Sequence, residues 1–141
     1  MTLAMTQAAL SAHLERDFGP IDADLSIETV TDSSLTLRLT PHDGHIRLGG
    51  TVSGPSLFLL ADVAFYFAIL ARLGPVEMAV TTNASIDFMR KPDGQLPVFG
   101  TAIVHKLGRT LAVGQVLMRN PGCDDVLAQA SMTYAIPPKR D

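Results

Sequence analysis

The sequence predicts an α+β fold in which an antiparallel β-sheet wraps around one long central helix. Residues 54–73 form an almost continuous apolar run, which is typical of a helix buried on all sides. Four runs with strand character follow, and the short turn-like segments between them predict antiparallel pairing. A sheet that curls around the helix would bury the apolar surface of both. The 141 residues are therefore predicted to form one domain, residues 1–141.

The chain begins with a predicted helical segment, residues 1–20. A short helix is expected over residues 6–17, because Gly19 and Pro20 would end it. His13 is expected on the surface of this helix.

Two strands and a loop are predicted next. Residues 21–30 form the first strand-like run, and residues 34–40 form the second. The second run has Leu at every other position, so one face of that strand should be buried. Residues 41–52 are rich in Gly and are predicted to be loop.

The central helix has clear signals at both ends. Ser53 is a good N-cap, and Pro55 suits the first turn, where its missing N–H is not needed. Gly74 then closes the helix, which is predicted over residues 54–73.

Four strands complete the predicted sheet. Turn residues separate them, including the segment Lys91-Pro92-Asp93-Gly94. The predicted strands are residues 77–90, 96–107, 110–119 and 126–136.

Composition and charge exclude several classes of function. The chain is 47% hydrophobic and has a net charge of −3, and a weakly acidic protein is a poor candidate for general nucleic-acid binding. The most apolar stretch, residues 57–70, is too short to span a bilayer, and the first ten residues lack the features of a signal peptide. The single cysteine, Cys123, is expected to be a surface thiol of a reduced, cytoplasmic protein.

Asp62 is the residue that most clearly points to a function. It is the one charged residue within residues 56–70 of the apolar run, and an ionised carboxylate there loses several kcal/mol of hydration free energy unless something compensates. One interpretation is a structural Asp bonded to backbone or to a buried cation. The other is a functional carboxylate, because a carboxylate in a dry cleft is a stronger base than one in water.

The central helix contains Leu60-Ala61-Asp62-Val63-Ala64, within the first of four notable segments, residues 49–65, 80–92, 108–116 and 128–134. In their order and spacing these segments resemble the hotdog-fold acyl-CoA thioesterases of the phenylacetate-pathway (PaaI-like) type, whose helix carries a Leu-Ala-Asp-x-Ala signature. The resemblance covers residues 34–136.

The resemblance implies a hotdog fold and a thioesterase site. In the family the helix carboxylate acts as base or nucleophile, which corresponds to Asp62, and a backbone N–H at the helix start polarises the thioester carbonyl, which corresponds to Gly54. The family's His-Gly-Gly is replaced here by Ser53-Gly54-Pro55, and the position of an upstream Asn falls near Arg47.

The spacing of these two residues predicts a homodimer. Gly54 and Asp62 are eight residues apart, which is roughly 12 Å on a straight helix. The two residues of one chain therefore cannot both contact the same carbonyl group. If both act on one thioester, they come from different subunits related by a two-fold axis. The family's dimers agree with this, and a homotetramer is possible as a further association.

Other residues are candidates for substrate binding. Tyr66 lies one turn after Asp62 and would line the acyl pocket or pack in the core, whereas Phe58 and Phe65 are expected in the core. Ser53 would contact the substrate or serve only as N-cap. The remaining candidates are Thr81 and Asn83, as polar groups near the carboxylate, and Arg90 and Arg109, with Lys91 and Lys106, for the phosphates of coenzyme A.

No metal site or cofactor is predicted, and coenzyme A is expected only as part of the substrate. His42, His45 and His105 lack a convincing metal-ligand spacing with carboxylates, and no Ser lies in a Gly-x-Ser-x-Gly motif.

The expected activity is hydrolysis of an aryl or medium-chain acyl-CoA. The alternative is a hotdog protein that binds acyl-CoA as a sensor or carrier without turnover, motivated by Ser53 and Pro55. A hydratase or dehydratase is a third interpretation, although no His flanks Asp62.

Overall fold

A computed structural model describes residues 3–18, 24–76 and 78–138. Along these residues two helices and eight strands follow one another, with a turn of 3-10 helix at Asp43–His45. In chain order the elements are α1 (Gln7–Phe18), β1 (Leu25–Val30), β2 (Ser34–Leu39), β3 (Ile46–Arg47), β4 (Thr51–Val52), α2 (Gly54–Leu73), β5 (Val80–Phe88), β6 (Val98–Leu107), β7 (Leu111–Arg119) and β8 (Ala128–Ala135).

The predicted fold is confirmed: six strands form one antiparallel sheet around α2. The order of the strands is β1-β2-β6-β7-β8-β5, so β1 and β5 are the two edges of this sheet. The short strands β3 and β4 form a separate hairpin just before α2. In β2, β7 and β8, and in β6 as far as Val104, every second residue is buried.

The central helix has the predicted bounds, because the predicted caps form. The Ser53 hydroxyl accepts a hydrogen bond from the Ser56 backbone N–H, and Gly74 ends the helix with a φ of 87°. The sheet approaches the helix closely at Gly114, where an added Cβ would lie 2.7 Å from a ring carbon of Phe65. A glycine is therefore needed at this contact.

The loop before the helix contains more structure than predicted. Residues 41–52 include the 3-10 turn and the β3–β4 hairpin. Gly49 and Gly50 have φ values of 95° and 77° in the turn of this hairpin, a conformation that favours glycine. The expected strand bounds are otherwise within a few residues of the observed ones, while residues 19–23 and 77 lie outside the described part of the chain.

Two predictions about burial were wrong. His13 is buried, with 5% of its surface exposed, because α1 lies against α2 and its ring contacts Tyr66 and Phe67. Phe58 is 40% exposed although Phe65 is fully buried. Phe58 lies one helical turn before Asp62, and part of its ring reaches the surface of this chain.

Helix α2 is long and apolar enough to cross a membrane, but 72% of its most apolar window is buried inside the protein. It is the core helix of the fold.

Candidate active site

Asp62 is held by two hydroxyl groups from the sheet. Thr81 Oγ1 donates a hydrogen bond of 2.5 Å to Oδ1, and Tyr134 OH lies 2.7 Å from the same oxygen. The Tyr134 hydroxyl is also 2.9 Å from the backbone carbonyl oxygen of Asp62. Within the described residues, Oδ2 accepts no hydrogen bond from the protein. The carboxylate is thus oriented through one oxygen, and the other oxygen can receive a proton.

The pairing of β5 with β8 explains why the two hydroxyls meet. Thr81 and Tyr134 are direct partners across these antiparallel strands, so their side chains lie side by side on the face towards α2. The register shifts between Thr81 and Asn83, and a bulge of this kind changes which face the following residue occupies. Asn83 pairs with Thr133 and is exposed, so the structure does not bring it to Asp62.

Burial keeps the Tyr134 phenol protonated. Removal from water raises the pKa of Tyr134 far above its ordinary value, and the negative charge of Asp62 raises it further. The phenol therefore remains a hydrogen-bond donor throughout the pH range in which proteins are assayed. Since Tyr134 is 3% exposed, this donor is fixed in position.

Asp62 borders a cavity of about 400 Å³. Tyr66, which is buried in the core, also lines it. The walls come from both helices and from strands β5 and β8. The lining residues are Asp17, Phe18, Asp62, Val63, Tyr66, Ala79, Val80, Thr81 and Tyr134.

The start of α2 lies apart from this cavity. The Gly54 N–H is among the first amides of the helix, which have no acceptor within the helix itself. The Phe88 ring lies next to Gly54, because a Cβ at Gly54 would be 3.4 Å from it. Ser53 is occupied as the N-cap and also lies 2.8 Å from the Ser56 hydroxyl. Neither Ser53, Gly54 nor Arg47 lines the cavity, and Arg47 is exposed on β3.

The predicted phosphate-binding residues lie at opposite ends of the sheet. Arg90 follows β5 at its Phe88 end, while Arg109 lies in the turn before β7, whose first residue Leu111 pairs with Ala135. Ala135 also pairs with Val80, at the other end of β5. Both arginines are exposed. One chain therefore does not bring Arg90 and Arg109 together.

Asp24, His42 and His45 form a cluster that sequence spacing did not indicate. One ligand-type atom from each lies within 4.8 Å of the others. However, Nδ1 of His42 accepts from the Gly44 N–H, and Nδ1 of His45 accepts from the His42 N–H. A neutral ring that accepts through Nδ1 carries its proton on Nε2, and His42 Nε2 lies 3.0 Å from Asp24. The arrangement fits capping of the 3-10 turn better than metal ligation.

Tyr134 is the site residue that the sequence analysis missed. It belongs to the closing strand that resembles the thioesterases, and it occupies an inward position of a period-two pattern. Its role depends on its pairing with Thr81, which lies 53 residues earlier and is not visible from local spacing.

Comparison with known proteins identifies the same fold. The family model of the thioesterase superfamily matches residues 49–127, which is more than half of the chain. Among proteins with curated functions, none matches the chain significantly.

Solved structures agree over nearly the whole length. A protein from Silicibacter sp. TM1040, described as a candidate thioesterase, shares 49% identity with a TM-score of 0.90, covering 98% of this chain and 96% of that chain. Zebrafish thioesterase superfamily member 2 shares 19% identity with a TM-score of 0.85, covering 95% and 100%. A mutant of the phenylacetic acid degradation protein PaaI from Thermus thermophilus shares 24% identity with a TM-score of 0.71, covering 85% and 97%. The last two support the fold alone.

Proposed function

The chain belongs to the thioesterase superfamily and is a thioester hydrolase, and we propose that it acts as a homodimer on acyl-CoA thioesters. The proposed acyl group is aryl or a medium-length aliphatic chain. The family assignment favours hydrolysis over the two alternatives, a non-catalytic acyl-CoA-binding protein and a hydratase.

The observation that carries the proposed mechanism is the geometry of Asp62. Its carboxylate stands at the wall of a cavity, with Oδ1 held by Thr81 and Tyr134. A carboxylate oriented in this way presents Oδ2 to a water molecule or to the thioester carbon. Groups fixed before the reaction lower the barrier because they need no reorganisation when charge develops.

Two routes lead to the same products. As general base, Asp62 takes a proton from water while the water oxygen attacks the thioester carbon. The tetrahedral intermediate then breaks its C–S bond, and the departing thiolate of coenzyme A receives the proton. As nucleophile, Asp62 attacks the carbon itself, expels the thiolate and forms a mixed anhydride that water hydrolyses.

The oxyanion donor proposed is the Gly54 N–H of the partner subunit. Amides at a helix start lack intrahelical acceptors, and the helix dipole favours negative charge there. Pro55 has no N–H to add, so Gly54 is the first helical amide available. Within one chain the eight-residue spacing keeps Gly54 about 12 Å from Asp62.

The edge strand β5 supports a two-fold pairing that would bring these groups together. Asp62 lies beside Thr81 near one end of β5, and Gly54 lies beside Phe88 at the other end. Antiparallel pairing of β5 with its copy would place the Thr81 end of one strand near the Phe88 end of the other. The same pairing would bring Arg90 of one subunit towards the end that carries Arg109 in the partner.

The surface at this edge is suited to association. Within the described chain the outer side of β5 pairs with no other strand, and an unpaired strand of nine residues is open to another chain. Exposed apolar residues lie along this edge and on the neighbouring side of α2. They are Phe58 (40% exposed), Val80 (56%), Phe88 (55%) and Met89 (51%).

The test compares Asp62→Asn with the wild type on a panel of aryl, short and medium acyl-CoAs. We expect release of free coenzyme A to fall at least about a hundredfold, within the range of general acid–base groups. Asp32→Asn, a loss of the same charge in the exposed β1–β2 turn, serves as the matched control. Turnover that is the same in wild type and Asp62→Asn would contradict the mechanism.

Single turnover in ¹⁸O-labelled water separates the two routes. The general-base route places the label in the product acid. The nucleophilic route, with water attacking the aspartyl carbon of the anhydride, places it in Asp62, where mass spectrometry of the peptide detects it.

A further inference from the structure

A second carboxylate, Asp17, lies in the wall of the cavity that borders Asp62. It belongs to the last turn of α1, and its side chain is 33% exposed. The proposed mechanism gives it no role. Because α1 forms one side of the cavity, its residues face whatever group the cavity receives.

Arg16 holds the Asp17 carboxylate in place, and His13 lies beside both of them. Arg16 Nε donates to Asp17 Oδ1 at 2.9 Å, and an Arg16 terminal nitrogen lies 2.8 Å from His13 Nδ1. An arginine can only donate, so Nδ1 accepts and the neutral His13 ring carries its proton on Nε2. That nitrogen is 2.7 Å from Asp17 Oδ2, a close contact whose angle is poor for a hydrogen bond.

The hydrogen bond from Arg16 also fixes the charge of Asp17. It lowers the pKa of Asp17 below the ordinary value; burial opposes this as the second-largest influence, and the charge of Arg16 adds to the lowering. Asp17 is therefore ionised at neutral pH. Arg16 itself is 62% exposed and is not among the residues that line the cavity.

The aromatic wall connects Asp62 with Asp17. Tyr66 is one helical turn after Asp62, and its ring meets the Phe18 ring edge-on at 5.8 Å between centroids. Phe18 is the neighbour of Asp17 in sequence. An acyl group whose reacting carbon lies at Asp62 would pass these rings and carry its far end towards Asp17.

The charged side chains that line the cavity are all acidic among the described residues. Among the described residues that line it, Asp17 and Asp62 are carboxylates and the others are apolar or carry hydroxyl groups, with no lysine or arginine. A charged group entering such a partly dry space interacts more strongly with these carboxylates than it would in water.

We propose that Asp17 sets the charge specificity of the acyl cavity: it disfavours acyl groups that end in a carboxylate and favours those that end in a hydrogen-bond donor. This inference rests on the proposed function in one respect, namely that the cavity receives the acyl group. The favoured donor is a hydroxyl or an ammonium group, and both would bond to the Asp17 oxygens.

The test measures binding, so that it does not depend on turnover. The probes are non-hydrolysable S-(2-oxoalkyl) thioethers of coenzyme A with equal chain length, ending in methyl, carboxylate, hydroxyl or ammonium. Calorimetry gives the dissociation constants for the wild type, Asp17→Asn, Arg16→Gln and the control Asp32→Asn. The wild type should bind the carboxylate probe about tenfold more weakly than the methyl probe, and the hydroxyl and ammonium probes at least as tightly as the methyl probe.

The two variants on α1 should act in opposite directions. Asp17→Asn should remove most of the penalty for the carboxylate probe, whereas Arg16→Gln keeps the carboxylate, removes its neutralising neighbour and should increase the penalty. A purely structural role of this turn would change binding of all probes alike in both variants. Equal binding of the methyl and carboxylate probes by the wild type, or an unchanged penalty in Asp17→Asn, would overturn the inference.

A failure here differs from a failure of the proposed function. If Asp62→Asn loses turnover but Asp17→Asn leaves the order of the probes unchanged, only the charge specificity is wrong. If no acyl-CoA is hydrolysed, yet Asp17→Asn changes the order of the dissociation constants as expected, the charge specificity is supported. The proposed hydrolysis of acyl-CoA is then wrong.

Discussion

The two ends of strand β5 carry different halves of the chemistry that a thioester hydrolase needs. At the Thr81 end a carboxylate, two hydroxyls and a cavity come together. At the Phe88 end an aromatic ring covers the start of α2, where backbone amides have no helical acceptor. In the proposed mechanism one end activates water and the other binds the oxyanion. A single chain keeps the two ends apart, so this mechanism requires a second copy.

The largest expected loss of turnover comes from Gly54→Pro, at the Phe88 end of β5. This change removes the proposed oxyanion donor but leaves the hydrogen bond from the Ser56 N–H to the Ser53 cap, and Pro is tolerated at a first helical position. We expect kcat to fall about a hundredfold. Gly54→Ala is the matched control, because it keeps the N–H and its Cβ would lie at an ordinary contact distance of 3.4 Å from Phe88.

Mixing two inactive variants tests whether the two ends work across subunits. In a mixed dimer of Asp62→Asn and Gly54→Pro chains, one site has both intact groups. An equal mixture that exchanges freely should recover about a quarter of wild-type turnover, because half of the dimers are mixed and each has one working site. Mixed dimers that form, as seen by native mass spectrometry, but remain inactive would contradict the composite site.

The Thr81 end should respond to Tyr134→Phe with a smaller loss. The phenyl ring fills the same space but no longer donates to Asp62 Oδ1, so we expect kcat to fall roughly tenfold with little change in KM. Turnover by Tyr134→Phe that equals the wild type would contradict this role of the phenol.

The alkaline side of the pH–rate profile provides a check on the phenol. Burial raises the pKa of Tyr134 well above its ordinary value, so its ionisation should not limit the wild type at moderately alkaline pH. An alkaline limb that disappears in Tyr134→Phe would show that the phenol ionises in the assay range, against this expectation.

A change away from both ends should affect stability and leave turnover nearly unchanged. In Gly114→Ala the new Cβ would meet the Ile103 carbonyl oxygen and, at 2.7 Å, the Phe65 ring. Overpacking of this kind costs about 1–3 kcal/mol. Urea unfolding should show the loss, while kcat measured well below the midpoint should match the wild type. A large fall in kcat would mean that the core contact at Gly114 controls the site.

The features that sequence reasoning predicted correctly depend on local patterns. The bounds of α2 follow from Ser53, Gly74 and an apolar run between them, and Asp62 stands out because it is the exception in that run. The strands after the helix follow from the turn residues between them, and the strand predicted over residues 34–40 follows from alternation. These signals are contained within about ten to twenty consecutive residues, so no tertiary contact is needed to interpret them.

The features that it missed depend on contacts between distant segments. Tyr134 acquires its position from its partner Thr81, and the bulge after Thr81 directs Asn83 away from Asp62. His13 was expected at the surface, yet α1 packs against α2 and buries it. Phe58 was expected in the core but is 40% exposed in this chain.

The separation of Asp62 and Gly54 along one helix has a consequence for inheritance. Under the proposed pairing, a chain that carries Asp62→Asn alone still lets a normal partner keep one working site in each hybrid dimer, so such an allele is recessive in effect. A chain that carries both Asp62→Asn and Gly54→Pro inactivates both active sites of every hybrid dimer and acts as a dominant negative. The same two substitutions in trans, on separate chains, restore one site. Allele arrangement, rather than allele content, therefore decides the phenotype.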